Sequence, residues 1–497
     1  MTAAPTAPAQ SLAKRALSGH AAIGLLASAL LYIVALTGAI AVVHDRWQRW
    51  EQPNVAEYSV LSPGAAQAAM ASALALEEDK PSTTHLYIRM PTPDLPRAVV
   101  TTDNAAWYVD AEGQVTAREA HSWTEFILAL HINLTLPIVW GMLLVGALGV
   151  ALAALLVTGV LAHPKIFKDA FRLRSRHDAQ IARADWHNRL GVWTLPFALA
   201  IALTGAFIGL SYAGMALLSQ AYEDGDMEAV YAPIFGDEPV HDATPASLAD
   251  IAAALSLVQT RLPETTPTYV TVHDPGTRGQ FVQILAEHPR RLIYGEAYSF
   301  DGRGEYLGKV GLSDGPVGQQ AAASTYNLHF GNFAGLPVEL AYIAFGMALS
   351  AITATGTTLW LQKRRRRGLP TERLWANWRM VVWGVPTALA ITVWERWLLG
   401  PDAPLVATFW LMLFVGIAAA ALAPTRVTES SIRTLTLGAL LITVAMHVAL
   451  FGVWEAGVFA VNFALVGVAL ILAYIQFRRP RRALQSHSGV GEVVAAE

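Results

Sequence analysis

Eight apolar runs punctuate the chain, at roughly 19–43, 135–161, 188–212, 337–361, 376–399, 404–423, 433–453 and 457–476. Each is long enough to cross a bilayer as a helix. Polar stretches of about 45–125 and 213–325 separate the first run from the second and the third from the fourth. Both open with an alanine-rich helical pattern, Pro63 to Leu76 and Pro245 to Arg261. Both continue with alternating, strand-like segments such as Thr84 to Met90 and Tyr269 to His273. Each carries a hairpin signal, Val109-Asp110-Ala111-Glu112-Gly113-Gln114 in the first and Phe300-Asp301-Gly302-Arg303-Gly304-Glu305 in the second. The pattern predicts two small modules of a helix plus an antiparallel sheet, each inserted between a pair of membrane helices.

The resulting division is an N-terminal tail and first span over 1–44, a first module over 45–125, and the second span, a loop and the third span over 126–212. A second module covers 213–325, the fourth span 326–362, a basic loop 363–373, the last four spans 374–476 and a tail 477–497. The fold class expected is a mainly α polytopic membrane protein: a duplicated four-helix core, two α+β modules and four extra C-terminal helices.

The duplication is visible residue by residue. His20-Ala-Ala-Ile-Gly24 runs on to Ala35-Leu36-Thr37-Gly38-Ala39, and His187-Asn-Arg-Leu-Gly191 runs on to Ala202-Leu203-Thr204-Gly205-Ala206. In a second matched pair, His131 leads through Pro137 to Thr158-Gly159, and His329 leads through Pro337 to Thr355-Gly356. The four Thr-Gly steps allow close approach of a flat macrocycle or of a neighbouring helix.

Composition narrows the chemistry. The chain has 497 residues, 54% hydrophobic and 15% charged, with net charge -3, which gives no basis for a nucleic-acid partner. Cysteine is absent, which excludes disulfides, cysteine-ligated iron–sulfur clusters and thioether-linked haem. A haem here is therefore of the non-covalent b type. Lys14-Arg15 followed by an apolar stretch and Ala39-Ile40-Ala41 has the outline of a signal peptide. The stretch is long enough to span, and its copy at 187–208 cannot be a signal, so it reads as a span. Lys14 and Arg15, then Lys165, Lys168, Arg172, Arg174, Arg176 and Arg183, then Lys363 to Arg367, then Arg426 and Arg433, then Arg478, Arg479, Arg481 and Arg482 all fall on one side of the alternating spans. By the positive-inside rule both termini face the cytoplasm and the modules face outward.

Depth sorts the histidines. His20 and His187 begin outward-going helices and lie near the cytoplasmic face; His131 and His329 begin inward-going helices and lie near the outer face. The expectation is a bis-histidine haem b at each face, with His20 and His187 ligating one iron and His131 and His329 the other. Lys14, Arg15 and Arg189 are candidates to neutralise propionates. His44 closes the first span, about 36 Å along a helix from His20. It is a candidate ligand in place of His131 or His329, or a contact in a site beside them. His163 reads as a surface residue at a helix end, and His447 as a packed, hydrogen-bonded one. His85, His121, His241, His273 and His288 show no metal-binding spacing and read as surface residues.

At these residues the chain resembles the PepSY-associated transmembrane helix family. The likeness rests on His20-x-x-x-Gly24 with Thr37-Gly38, on Trp186-His187-Asn188-Arg189-Leu190-Gly191 with Thr204-Gly205, and on Leu328-His329-Phe330-Gly331 leading to Thr355-Gly356 and Trp360. It covers about 10–365 and leaves the last four spans outside. The resemblance implies PepSY-like periplasmic modules, a haem-binding core in the bacterial inner membrane and a link to iron uptake. Some members reduce ferric siderophores in the periplasm, and others are fused to flavin reductase domains. The chain has no Gly-rich nucleotide fingerprint, so the electron donor would be a separate cytoplasmic or membrane partner. The function expected is a di-haem oxidoreductase acting on ferric siderophores by one-electron transfer. A non-redox PepSY protein that binds a periplasmic peptide or protein, and a siderophore or metal transporter, are the alternatives.

Overall fold

The structure is a computed structural model that describes residues 11–171, 179–227, 229–230, 232, 242–289, 291–452 and 456–477. Arg172, Arg174 and Arg176, His241, and the tail with Arg478, Arg479, Arg481 and Arg482 lie outside the described residues. The chain forms two compact units, Met1–Thr371 with Glu395–Ala407, and Glu372–Trp394 with Thr408–Glu497. Among the described residues, seven helices are long and apolar enough to cross a membrane.

In the first unit, α1 (Leu12–Ala41) is a single helix of 30 residues whose first turn is capped by Ser11. A short break leads into α2 (His44–Glu51) and then into α3 (Pro63–Ala75), which Ser62 caps and Pro63 opens. Strands β1 (His85–Arg89), β2 (Ala98–Thr101), β3 (Ala106–Val109) and β4 (Val115–Arg118) follow as an antiparallel meander. Helices α4 (Ser122–Asn133), α5 (Ile138–Ala162), α6 (Ile166–Asp169), α7 (Ala179–Trp193) and α8 (Leu195–Tyr222) return through the membrane and come back. The second copy repeats the plan with α9 (Ile251–Arg261), β5 (Thr266–His273), β6 (Phe281–Glu287), β7 (Glu296–Asp301), β8 (Tyr306–Lys309), α10 (Val317–Phe330) and α11 (Leu336–Arg366). The two hairpin signals become the β3–β4 and β7–β8 turns, with Gly113 at φ 84 and Gly304 at φ 76, a conformation that favours glycine.

The modules are not separate. Their strands form one eight-stranded antiparallel sheet in the order β4-β3-β2-β1-β5-β6-β7-β8. The seam is β1 against β5, with His85 opposite His273 and Arg89 opposite Tyr269. Each module alone would leave a strand edge open at that position, and the seam removes both edges. α3 and α9 pack on the sheet and share one core in which Met70, Leu86, Ile88, Val100, Val270, Val272, Ile284 and Phe300 are fully buried. Burying each such side chain contributes roughly 1.5–3 kcal/mol relative to exposing it. Gln67 ties the helices together, donating to Ala249 O at 3.0 Å and accepting from Ile251 N at 2.9 Å.

Within the membrane the copies meet through small residues. A Cβ on Gly149 would lie 2.9 Å from the Ala206 backbone, and one on Gly346 would lie 2.9 Å from Ala39 Cβ. These contacts are equivalent under the repeat, α5 against α8 and α1 against α11, and they bring the backbones close without side-chain interference.

Two expectations about the spans need correction. The second and fourth spans do not begin at His131 and His329. Those residues sit in the last turns of the separate helices α4 and α10, each closed by a left-handed residue, Leu134 at φ 54 and Gly331 at φ 75. The copies also differ: α1 is continuous, whereas α7 and α8 are split at Thr194. Pro196 has no N–H to give the preceding turn, and Ala29 stands at the matching place in α1.

The expected span at 376–399, which belongs to the second unit up to Trp394, is an interrupted helix. α12 (Glu372–Arg379) runs into a π-helical turn over Met380–Gly384 and then α13 (Val385–Leu399). The spanning helices α14 (Leu405–Leu422), α15 (Glu429–Phe451) and α16 (Ala456–Phe477) complete the set. Within this unit Thr387 and Thr436 share a 2.9 Å hydrogen bond, and Trp394 donates to Thr443 at 2.8 Å. His447 is buried and within 3.1 Å of the Asn462 amide.

Candidate functional site

Each of the four repeated histidines lies against the Thr-Gly step of the other long helix in its own copy. His20 on α1 meets Thr158-Gly159 on α5, and His131 on α4 meets Thr37-Gly38 on α1. His187 on α7 meets Thr355-Gly356 on α11, and His329 on α10 meets Thr204-Gly205 on α8. The glycine is the seat of the ring. A Cβ there would lie 3.3 Å from His20 Cε1, 2.6 Å from His131 Cε1, 3.2 Å from His187 Cε1 and 2.9 Å from His329 Cε1. From sequence the Thr-Gly steps stood open between macrocycle and helix contact; they receive imidazoles.

The threonine and the carbonyl three residues before it set the tautomer. Nδ1 of His20 is 3.0 Å from Leu155 O and 3.3 Å from Thr158 Oγ1. Nδ1 of His187 is 3.1 Å from both Ile352 O and Thr355 Oγ1. Nδ1 of His131 is 2.9 Å from Val34 O, and Nδ1 of His329 is 2.9 Å from Thr204 Oγ1. A carbonyl can only accept. The threonine hydroxyls already donate to their own helices, Thr158 to Ala154 O at 2.6 Å, Thr204 to Ala200 O at 2.7 Å and Thr355 to Ala351 O at 2.8 Å. Nδ1 is therefore the N–H donor in all four rings, and Nε2 carries the lone pair. Hydrogen bonding of this kind is what orients a metal-ligating imidazole and raises its basicity.

The rings then meet across the copies. His20 and His187 have centroids 6.4 Å apart with planes at 88°, and His131 and His329 have centroids 6.1 Å apart with planes at 29°. Two metal–imidazole bonds of about 2 Å, plus roughly 1 Å from each ring nitrogen to its centre, would set centroids about 6 Å apart. Both pairs thus fit one metal held between two imidazoles. Among the described residues there is no cluster of three or more His, Cys, Asp or Glu side chains arranged for a metal ion. A cofactor that carries its own ligands, as haem does, would fit such a pair.

The spacing in α1 explains the two levels. His20 and Gly38 are eighteen residues apart, which is about five turns and roughly 27 Å, so they lie on one face of the helix. His187 and Gly205 repeat the interval. One pair therefore sits at the module end of the core and the other at the distal end. The module-side pair opens into a cavity of about 420 Å³ lined mainly by apolar residues, with Phe197, Tyr326, Phe330 and Tyr342 among them, within the usual size range of cofactor pockets of roughly 300–1,000 Å³.

His44 lines this cavity but belongs to neither histidine pair. Its Nε2 lies 3.0 Å from Asp45 Oδ1. Lys14 and Arg15 occupy the first turn of α1, and Arg189 is buried, with a guanidinium nitrogen 4.0 Å from Asp185. The surface reading of His121 is wrong. It is buried beside Glu119, with Nε2 2.7 Å from the carboxylate.

The clasp that holds α4, and with it His131, is invisible in the sequence. Buried Glu51 accepts from Trp123 N at 2.9 Å, Thr124 N at 2.9 Å and Thr124 Oγ1 at 2.8 Å. Arg396, far away in the chain, places Nε 3.0 Å from the same carboxylate and donates to Ala120 O. An acceptor at a helix N-terminus is favourable, but it lies seventy-two residues from Trp123 in sequence and has no local signature.

A family model described as the PepSY-associated TM region matches residues 17–363. An uncharacterized protein of Pseudomonas aeruginosa is 27% identical over 253 residues, an alignment that takes in 48% of this chain and spans 64% of that protein's length. The family match takes in both histidine pairs, all four Thr-Gly seats and both sheet modules, and the chain belongs to the PepSY-associated TM family.

Proposed function

We propose that this chain is a di-haem b electron-transfer protein of the bacterial inner membrane that reduces ferric siderophores on the periplasmic side during iron uptake. The observation that carries the reading is the set of four Nε2 lone pairs gathered as two histidine pairs, 6.4 Å and 6.1 Å between ring centres. Haem iron would supply reversible one-electron chemistry. The residues supply the rest: His20 with His187, and His131 with His329, hold one haem each. Gly159, Gly356, Gly38 and Gly205 make room for the rings, and the carbonyls and threonines fix their tautomer. The walls of the module-side site are mostly apolar. No acid–base group is required for transfer of a single electron.

Charge supports the orientation. Lys14 and Arg15, Lys165, Lys168 and Arg183, Lys363 to Arg367, and Arg426 with Arg433 assign both termini and the distal pair to the cytoplasmic side by the positive-inside rule. The module-side pair then faces the periplasm, where a hard-oxygen chelate of Fe(III) loses affinity once the iron is reduced. A cytoplasmic or membrane-bound donor completes the circuit. Anaerobic stopped-flow mixing of dithionite-reduced protein with ferric siderophores tests the activity. Reoxidation well above the rate with a redox-inert analogue is the result expected; equal rates would remove siderophore reduction from the reading.

A further inference from the structure

The module-side cavity holds a polar group that ligation of iron does not use. His44 begins α2, immediately past the end of α1, and its ring faces the cavity that also contains His131 and His329. Its two nitrogens are treated differently. Nε2 is 3.0 Å from Asp45 Oδ1, and Arg89 of β1 donates to both oxygens of the same carboxylate, at 2.7 Å and 2.8 Å. Burial alone would raise the Asp45 carboxyl, but the hydrogen bond from His44 and the Arg89 charge outweigh it and hold it well below the usual carboxylate range. Asp45 is therefore an ionised acceptor, and Nε2 is its donor. Nδ1 is buried and makes no hydrogen bond among the described residues. A buried polar atom in that state costs about 1–3 kcal/mol, so a missing partner is the natural explanation.

We propose that Nδ1 of His44 donates to a propionate of the haem held by His131 and His329, and that His44 is the anchor of that haem's acidic edge. The proposal rests on the di-haem reading. Its geometry is in the shared cavity: His44 lies six residues beyond Gly38, the seat of His131, and lines the same cavity as His131 and His329. The His44 ring would sit between two carboxylates, Asp45 and the propionate, with Arg89 paired to Asp45. Tyr342, another polar group on the wall, is committed elsewhere and donates to Leu328 O at 2.6 Å. The repeat offers no second anchor, because Ser211 stands where the duplication would put another His44, and its hydroxyl donates to Ile208 O at 2.7 Å. The Asp45–Arg89 arm also joins the cavity to the first strand of the sheet, so Asp45 and Arg89 act as positioning residues.

The test is redox potentiometry on purified full-length holoprotein, with each haem followed through its own low-spin ferric signal. Haem is first counted in the wild type; a haem-free wild type would overturn the di-haem reading itself, separately from this proposal. His44→Leu is expected to lower the midpoint potential of the module-side haem or to release that haem alone, since a donor to the propionate is lost, while the distal haem is unmoved. His44→Arg, which restores a donor, is expected to recover most of the shift. A module-side potential unchanged in His44→Leu, or equal shifts of both haems, would overturn the anchor.

Discussion

The two histidine pairs are built from one motif, yet they are not equivalent. At the distal pair each ring has two acceptors on Nδ1, a carbonyl and a threonine hydroxyl, and the planes are nearly perpendicular at 88°. At the module-side pair His131 leans on Val34 O and His329 on the Thr204 hydroxyl, and the planes are inclined by 29°. The glycine seats differ as well. They are tighter on the module side, 2.6 Å and 2.9 Å, than on the distal side, 3.3 Å and 3.2 Å. The module-side pair also opens on a cavity with a further polar group, His44. A repeated histidine set thus acquires two characters from its surroundings. A second acceptor on Nδ1 adds to the basicity of an imidazole and favours the ferric state, so on the proposed di-haem reading the distal haem is expected to have the lower potential.

Removing a ligand should break the comparison most completely. His187→Ala is expected to lose the distal haem and keep the module-side one, and His329→Ala to do the reverse, each halving haem content in a pyridine haemochrome assay. The same residual spectrum from both variants would contradict the pairing. The seats give the next largest effect. Gly38→Val should displace His131 and empty the module-side site, whereas Gly159→Ala should be tolerated, because its added carbon finds His20 at 3.3 Å. The expected order of haem loss for alanine is Gly38, then Gly205, then Gly356 and Gly159, checked by haem content at matched expression.

The tautomer-setting contacts come third. Thr204→Val removes the hydroxyl that Nδ1 of His329 uses and should weaken retention of that haem about 10–100-fold. Thr355→Val should cost less, because Ile352 O still accepts from His187 at 3.1 Å. Haem-transfer rates to apomyoglobin would rank the two, and equal losses would contradict the difference in anchoring. The smallest effect concerns the support of α4. Burial would lower the pKa of His121, but the Glu119 carboxylate outweighs it and raises the pKa above the ordinary 6.5. A raised histidine contributes its stability fully below 6.5 and loses it as pH climbs through the folded-state value. The deficit in thermal stability of His121→Gln should therefore be greatest in mild acid and shrink in alkali; a deficit independent of pH would point to packing alone.

Much of this arrangement was legible because a duplication writes its message twice. The histidines, the Thr-Gly steps and their intervals are local patterns with a period, and matching His20 to His187 and His131 to His329 required only counting. What could not be read was long-range. Nothing local says that β1 pairs with β5, since both strands have equally good partners inside their own modules. Glu51 carries no mark that it will cap a helix seventy-two residues later. The splitting of α7 from α8, and the placing of His131 on a helix of its own, follow from Pro196 and from the left-handed Leu134, local features whose consequences depend on the tertiary turn. The hold of α2 on the end of β4 is unreadable in the same way. Gln52, just past α2, donates to Arg118 O at 3.0 Å, a contact between segments sixty-six residues apart.

The most direct test of two bis-histidine haems is low-temperature electron paramagnetic resonance of the fully oxidised protein with spin quantitation. Near-perpendicular axial rings leave two iron d orbitals almost degenerate and give a strongly anisotropic, large-g signal, whereas rings closer to parallel give three resolved g values. Both low-spin signals are expected in equal amount, the large-g species from the distal pair and the rhombic species from the module-side pair. A haem-free protein, a single low-spin species or a dominant high-spin ferric signal would contradict two bis-histidine sites.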